Sequence, residues 1–387
     1  MEGEVCGRRL FYCKKIGYTF VLMQSAKRKK VWKNALISMV AMGLIATVML
    51  VGVFFAVRWH WTDVPGTVDE HSGELQQLAA QITELRGGNA SVLDQRNRCK
   101  AFLIGETAAV NARHIVDVYD RTKSGALLAN MVEAASLRLS GDQQRRLATC
   151  DEGSGIDEVQ VQKHWNRLAW NLFPWMNTED WSVFKEATIK DRETIDRVSR
   201  ETGVEPRMIV AQLVAEQLRL FNSDRAVYKR FFAPLKMLGS ETKFSLGVTG
   251  IKEATAIRIE NNAKDVRSPY YPGPQYEHLL DFKTADVETE RYDRITNEHD
   301  HYYAYLYAAL YLKEVAQQWK GAGYDISHRP EILSTLFNIG FDHSKPNANP
   351  GTGGAMIEIA GEKYSFGSLG YEFYYSGELM DEFSYGA

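Results

Sequence analysis

Apolar residues recur at intervals of three and four over most of the chain beyond residue 68, which is the spacing of one face of an α-helix. The segments with this spacing are 69–85, 92–103, 107–119, 125–139, 191–221 and 301–319. Alternation is confined to Met356–Phe366, where Ala360-Gly361 is placed to turn a hairpin. Ser365 or Gly367 would cap a last helix after it. The pattern predicts a mainly α-helical protein with a small C-terminal β-hairpin.

One stretch near the N-terminus is apolar on every side. Ala35–Val57 has 23 residues without a charge, Pro, Asn or Gln, and at 1.5 Å per residue it is long enough for the ~30 Å core of a bilayer. Gly52 and Ala56 would also suit cleavage of a signal peptide, but the stretch is roughly twice as long as a usual signal-peptide core. The pattern favours an uncleaved transmembrane helix at 35–57.

Charge changes across this segment. Residues 1–34 carry nine Lys/Arg against two Glu, a net charge of +7, whereas the chain of 387 residues has a net charge of −3 and its remainder is therefore acidic. The basic side of a membrane segment stays in the cytoplasm, so residues from about 58 onward are expected outside the cytoplasm, in a single-pass inner-membrane protein. An acidic remainder also argues against nucleic acid as a partner.

The predicted anchor sorts the four cysteines into two compartments. Cys6 and Cys13 would be cytoplasmic, while Cys99 and Cys150 would lie on the outer side, where disulfides persist. The sequence leaves two alternatives for the second pair, a disulfide or two small buried apolar residues.

The extracytoplasmic part is predicted to have two regions. Residues 58–185 are read as a helical stalk or accessory domain, and 186–387 as a second domain with a C-terminal extension. The tryptophans between them would pack in a core or form a sugar platform, and they are Trp165, Trp170, Trp175 and Trp181. The extension would either wall a ligand cleft or cover the core.

The candidate chemistry is carried by Glu216. It falls within one apolar stripe of the helix that starts near Pro206, together with Ile209, Leu213 and Leu220. A carboxylate is rarely buried without compensation. Desolvation would raise its pKa, as a general acid near neutral pH requires. The alternative is a structural Glu paired with Arg219 or Arg225.

A glycine-bearing turn precedes the next helix. Gly247 and Gly250 permit close backbone approach, and Ser245 and Thr249 offer hydroxyl groups of the kind that bind a sugar. The acidic and histidine residues at 298–301 are not expected to bind a metal, because consecutive ligands at a helix start point in different directions.

In this order the segments resemble the lysozyme-like superfamily, specifically the soluble-lytic-transglycosylase-like catalytic domain. The likeness covers roughly residues 190–345. The motif segments that carry it are Thr202-Gly203-Val204-Glu205-Pro206 leading to Glu216, Ser245-Leu246-Gly247-Val248-Thr249-Gly250-Ile251, Tyr307-Ala308-Ala309-Leu310-Tyr311-Leu312, and Leu336-Phe337-Asn338-Ile339-Gly340.

The resemblance implies that Glu216 is the catalytic residue and that substrate is bound by Ser245, Gly247, Thr249, Tyr307 and Asn338. It implies no metal or cofactor, and the expected partner is the glycan strand of peptidoglycan. Three positions depart from the family pattern: Gln217 stands where the family has Ser, Gly250 where it has Gln, and Phe337 where it has Tyr.

The predicted reaction is non-hydrolytic cleavage between N-acetylmuramic acid and N-acetylglucosamine, with one Glu as acid and base. A hydrolytic muramidase would need a second carboxylate, for which Asp224 and Glu241 are the candidates. The departures at Gln217, Gly250 and Phe337 favour a further alternative, a non-catalytic glycan-binding or scaffold protein of the cell envelope.

Overall fold

The computed structural model describes residues 90–152, 156–165, 170–221 and 247–385, and all of them lie in one compact unit. The helices of this part are α1 (Ala90–Ile104), α2 (Ala109–Thr122), α3 (Gly125–Ser136), α4 (Gly141–Ala148), α5 (Glu158–Lys163), α6 (Glu179–Lys190), α7 (Arg192–Thr202), α8 (Pro206–Phe221), α9 (Glu253–Lys264), α10 (Val287–Thr296), α11 (Tyr302–Gly321), α12 (Pro330–Ile339) and α13 (Phe366–Ser376). The prediction of a mainly helical protein is confirmed.

The predicted hairpin is also confirmed. Strands β1 (Met356–Ile359) and β2 (Glu362–Ser365) pair antiparallel, with Ile359 opposite Glu362. Ala360 and Gly361 both have positive φ, as a type I′ hairpin turn requires. Ser365 then caps α13 by accepting a hydrogen bond from the Ser368 amide. This helix ends at Ser376 because Gly377 adopts the left-handed conformation.

Helix α13 lies at the centre of the core, in contact with α3, α8 and α12. Its approach to α12 is close because two of its residues lack a side chain. A Cβ on Gly370 would lie 2.7 Å from the Ser334 Cβ and nearer still to the Ser334 hydroxyl. The C-terminal extension therefore fills the core, which is one of the two roles that its sequence allows.

The accessory segment packs into this same core. The boundary predicted between residues 185 and 186 falls inside α6. Arg138, just after the end of α3, donates to the Glu372 carboxylate of α13 at 2.7 Å, and the indole N–H of Trp175 donates to the other oxygen of that carboxylate at 2.7 Å. The described part of 58–185 thus builds one helical body with the region that follows it.

A buried arginine joins α8 to the end of α13. Arg207 has no exposed surface, and its guanidinium donates to the carbonyls of Phe373 at 2.7 Å, Tyr374 at 2.8 Å and Glu378 at 2.7 Å. The last carbonyls of a helix lack partners within the helix and attract positive charge. Arg207 therefore gives these carbonyl groups both hydrogen-bond donors and a positive charge. No carboxylate takes part in these contacts.

Most of the four tryptophans take the first of the two roles that the sequence offers, packing in the core. Trp175 and Trp181 are fully buried with their rings 5.1 Å apart, and Trp165 is buried as well. Trp170 is 43% exposed. Three of the four side chains therefore belong to the core.

A disulfide joins Cys99 on α1 to Cys150, which follows α4, across 51 positions of sequence. The structure therefore has the first of the two alternatives for this pair.

Because the loop closed by the disulfide restricts the unfolded chain, reduction should lower the free energy of unfolding by about 4 kcal/mol. Urea unfolding of the full-length protein with and without reductant measures this. The Cys99→Ala/Cys150→Ala variant is the control, since reductant should not change its stability. Equal stability of the wild type in both conditions would contradict the prediction.

The carboxyl group of Glu133, on α3, lies near Tyr371 of α13 and within electrostatic reach of Glu331 on α12. Burial and the nearby charge of Glu331 raise the pKa of Glu133 to about 7 from its ordinary value of 4.5, and the Tyr371 hydroxyl bonds to Glu133. The unfolded chain loses this proton at lower pH than the folded protein does. Stability from Glu133 is therefore fully present below pH 4.5 and is lost as pH rises to about 7.

We accordingly expect Glu133→Gln to be more stable than the wild type at pH 8, by on the order of 1 kcal/mol, and to differ little from it at pH 4. Thermal unfolding at the two pH values measures the difference. Glu186→Gln, at an exposed position of α6, is the control and should show no such pH dependence. If the stability difference between the wild type and Glu133→Gln is the same at pH 4 and at pH 8, the expectation is refuted.

None of the described helices is long and apolar enough to cross a membrane. The predicted span at 35–57 and the basic segment 1–34 lie outside the described residues.

Candidate active site

Glu216 lies on α8, near the C-terminal end of that helix. The helix begins at Pro206, where the missing N–H of proline costs nothing, and it buries Ile209 and Leu213 as the stripe predicts. Glu216 is only 3% exposed. The side chain of Leu220 and all of 222–246 are outside the described residues.

The turn at 247–250 lies directly against the Glu216 carboxylate. Gly250 has a φ of 65°, and a Cβ there would lie 2.7 Å from the Glu216 Cγ and nearer still to the carboxylate. Gly247 has a φ of 62°, and a Cβ there would lie 3.1 Å from the carbonyl carbon of Ile295 on α10. Both glycines are therefore required, one for contact with Glu216 and one for contact with α10.

Gln217 holds this turn in place. Its amide nitrogen donates to the carbonyl of Val248, one residue beyond Gly247. Two departures from the family pattern thus act together in this chain, since Gln217 binds the turn backbone and Gly250 leaves room for the carboxylate. Sequence spacing gives no sign of this contact, because Gln217 and Val248 are 31 residues apart.

Arg219, one turn along α8, forms an ion pair with the Glu216 carboxylate. The Arg219 side chain is 19% exposed. This is the pairing that the sequence offers as the alternative to an unpaired buried acid, while Arg225 lies outside the described residues. A neighbouring positive charge favours the ionised form of a carboxyl group. Glu216 is therefore a paired carboxylate in this structure.

The predicted substrate-binding residues fall into several places. Thr249 sits in the turn beside Glu216, is 1% exposed, and its hydroxyl has no hydrogen-bond partner among the described residues. Asn338 is at the end of α12, and its side-chain oxygen accepts from the Ala355 amide at 2.7 Å. Phe337, next to it, packs against the rings of Tyr311 and Phe366.

Tyr307 lies in a buried polar group. Its hydroxyl donates to Glu260 at 2.6 Å, and Arg291 binds the same carboxylate through two bonds of 2.7 Å. Burial and the Glu260 charge raise the pKa of Tyr307, so the hydroxyl keeps its proton. Tyr307 itself is fully buried, and its hydroxyl is used within the protein.

Ser245, Asp224 and Glu241 lie outside the described residues. The structure therefore brings together Glu216, Gly247, Thr249 and Gly250, and it adds Gln217 and Arg219 to that site.

Within the described ranges, no group of three or more His, Cys, Asp or Glu side chains is arranged to hold a metal ion. His301 instead pairs with Asp191, with 2.5 Å between its Nδ1 and the carboxylate, and Tyr305 donates to the same oxygen.

No known family model, no curated protein and no solved structure matches this chain significantly.

Proposed function

We propose that this protein is an envelope enzyme that cleaves peptidoglycan between N-acetylmuramic acid and N-acetylglucosamine by lytic transglycosylation. The observation that carries the proposal is Glu216, which is almost fully buried on α8 with the Gly250 turn against its carboxylate. An inward-facing Glu beside a glycine turn is what the resemblance expects of the catalytic residue.

One carboxyl group is enough for this reaction. The Glu216 carboxyl first gives its proton to the glycosidic oxygen as the bond to the anomeric carbon breaks. The carboxylate then takes the proton of the muramic acid 6-hydroxyl as that oxygen bonds to the same carbon. Water is neither added nor released, and Glu216 ends in its starting form. A hydrolytic muramidase would instead require a second carboxylate, with Asp224 and Glu241 as the candidates.

The location of the substrate agrees with the proposed topology. Residues 35–57 would anchor the chain in the lipid bilayer, with 1–34 in the cytoplasm and the helical body outside, beside the wall. The Cys99–Cys150 disulfide supports this placement, because disulfides persist in oxidising compartments.

The Arg219 pair favours a second candidate function, a non-catalytic glycan-binding protein of the envelope. Arg219 stabilises the charged form of Glu216, which opposes donation of a proton to a leaving oxygen.

The experiment that separates these functions is product analysis. Full-length protein in detergent is incubated with purified peptidoglycan, and the released fragments are weighed by mass spectrometry. Transglycosylation gives anhydro ends, which are one water lighter than the reducing ends of a hydrolase. Binding of glycan without any cleavage would replace the enzyme by the binding protein.

A further inference from the structure

A surface groove lies away from Glu216, between the segment that follows α9 and the last turn of α11. Its volume is about 590 Å³, and its lining includes Val266, Ser268, Tyr271, Gln317 and Gly321. Small-molecule sites usually occupy about 300–1,000 Å³. The groove is therefore large enough for one or two rings of a small ligand.

The lining indicates the charge of the ligand. None of the described residues that line the groove is charged, although 25% of the whole chain is Asp, Glu, Lys or Arg. The lining itself offers an ionic ligand no counter-charge. The groove therefore suits a polar ligand that is neutral at the point of contact.

The groove also has apolar surface in two forms. Val266 is 66% exposed, and the ring of Tyr271 forms part of the wall. A Cβ on Gly321 would meet nothing within 4 Å, so this side of the groove is open. A ligand with a flat apolar face and a methyl group would cover both the ring and the valine.

The walls are held from behind by hydrogen bonds. The Tyr271 hydroxyl donates to Glu277 at 2.5 Å, which fixes the ring. Ser268 donates to Asn262 at 3.0 Å, and Gln318 accepts from Ser344 at 2.5 Å. Gln317, in contrast, is exposed and its amide has no partner among the described residues. Both a donor and an acceptor are therefore free on a rigid wall.

We propose that this groove binds an uncharged N-acetylated sugar unit, as a second glycan site on the protein. The Tyr271 ring would lie against the flat C–H face of the sugar, the Gln317 amide would bond to its acetamido group or a hydroxyl, and Val266 would contact the acetyl methyl. The apolar parts of the sugar would thus contact apolar side chains, and its polar groups would contact an amide.

This site is separate from the one at Glu216. Helix α9 starts three residues after Gly250 and ends at Lys264, two residues before Val266. Twelve helical residues span on the order of 18 Å, which sets the scale of the separation between groove and carboxylate. The choice of a wall glycan as the natural polymer rests on the proposed function, whereas the sugar class comes from the groove itself.

A probe inside the groove tests the proposal without interference from binding at Glu216. Full-length Glu216→Gln protein, which should not consume the probe, is labelled with 3-fluorotyrosine, and the fluorine resonance of Tyr271 is identified by its loss in Tyr271→Phe. Chitotetraose, a tetramer of N-acetylglucosamine, should shift this resonance. Maltotetraose has the same number of rings without acetamido groups and should leave it in place. The resonance of Tyr324, an exposed tyrosine outside the groove lining, is the internal control.

Gln317→Ala adds a quantitative test, because the residue is exposed on a helix and its loss should not disturb folding. The chitotetraose concentration at which the Tyr271 resonance is half shifted should rise about 3–10-fold, the usual effect of one hydrogen bond. A Tyr271 resonance that does not move at saturating chitotetraose, or that moves equally with maltotetraose, would overturn the proposal. If the half-shift concentration is unchanged in Gln317→Ala, the proposed hydrogen bond of the Gln317 amide to the sugar is refuted.

The outcomes for the two proposed sites can be told apart. Wild-type protein that cleaves peptidoglycan while its Tyr271 resonance ignores chitotetraose refutes the groove and leaves the enzyme in place. A resonance that responds as expected in a wild type that cleaves nothing refutes the enzyme and leaves the sugar site.

Discussion

Glu216→Gln is expected to lower the rate of glycan cleavage by roughly 10²–10⁴-fold, because the amide keeps the shape of the side chain but cannot exchange a proton with the substrate. Binding of glycan strands should persist. The rate is measured as anhydro ends released from purified peptidoglycan by the full-length protein. Glu193→Gln, at an exposed position in the first turn of α7, is the matched control and should retain wild-type activity.

Arg219→Gln sharpens this test, since it removes the positive charge that pairs with Glu216. Without that charge the protonated carboxyl should persist to higher pH, so the alkaline limb of the pH–activity profile should move upward. Wild-type activity in Glu216→Gln would refute its catalytic role. Reducing ends among the products would direct attention to Asp224 and Glu241.

Gly370→Ala is expected to destabilise the protein by about 3 kcal/mol, the upper part of the usual range for overfilling a packed core. The added Cβ would lie 2.7 Å from the Ser334 Cβ and nearer to its hydroxyl, and both atoms belong to the buried contact of α13 with α12. Chemical unfolding of the full-length protein measures the change. Gly321→Ala is the matched control, because a Cβ at that helical glycine meets nothing within 4 Å.

A double variant tests the reason for this loss. Ser334→Gly removes both clashing atoms and leaves the Pro330 carbonyl oxygen, 3.6 Å from the new Cβ, as the next neighbour. Alone, it should cost about 1 kcal/mol, as glycine does inside a helix. Combined with Gly370→Ala, it should make the protein more stable than Gly370→Ala alone. Additive losses in the double variant would show that the cost has another origin.

Local features of the fold could be predicted because their signals lie within a few residues. The spacing of apolar residues gives the helices, Ala360-Gly361 gives the hairpin turn, and Ser365 gives the helix cap. The union of the accessory segment with the rest could not be predicted. It depends on contacts such as that of Arg138 with Glu372, which are 234 residues apart and leave no periodic trace in the sequence.

The candidate site was predictable to a similar extent. Burial of Glu216 follows from the helix stripe, and a glycine-rich turn is visible in the sequence. The choice between an unpaired carboxyl group and a pair with Arg219 depends on side-chain geometry, since residues three apart on a helix can meet without being obliged to. The sequence also shows Tyr307 without its partner Glu260, which comes from another helix.

The position of α13 has a consequence for biosynthesis. This helix follows every other described helix in the chain, yet α3, α8 and α12 all pack against it. During synthesis the apolar faces of these earlier helices that pack against α13 stay uncovered until α13 is made. Contacts between segments that are distant in sequence also form slowly. Folding of the helical body is therefore completed late, after α13 has emerged. Until that point the apolar faces of α3, α8 and α12 that α13 covers stay accessible to chaperones.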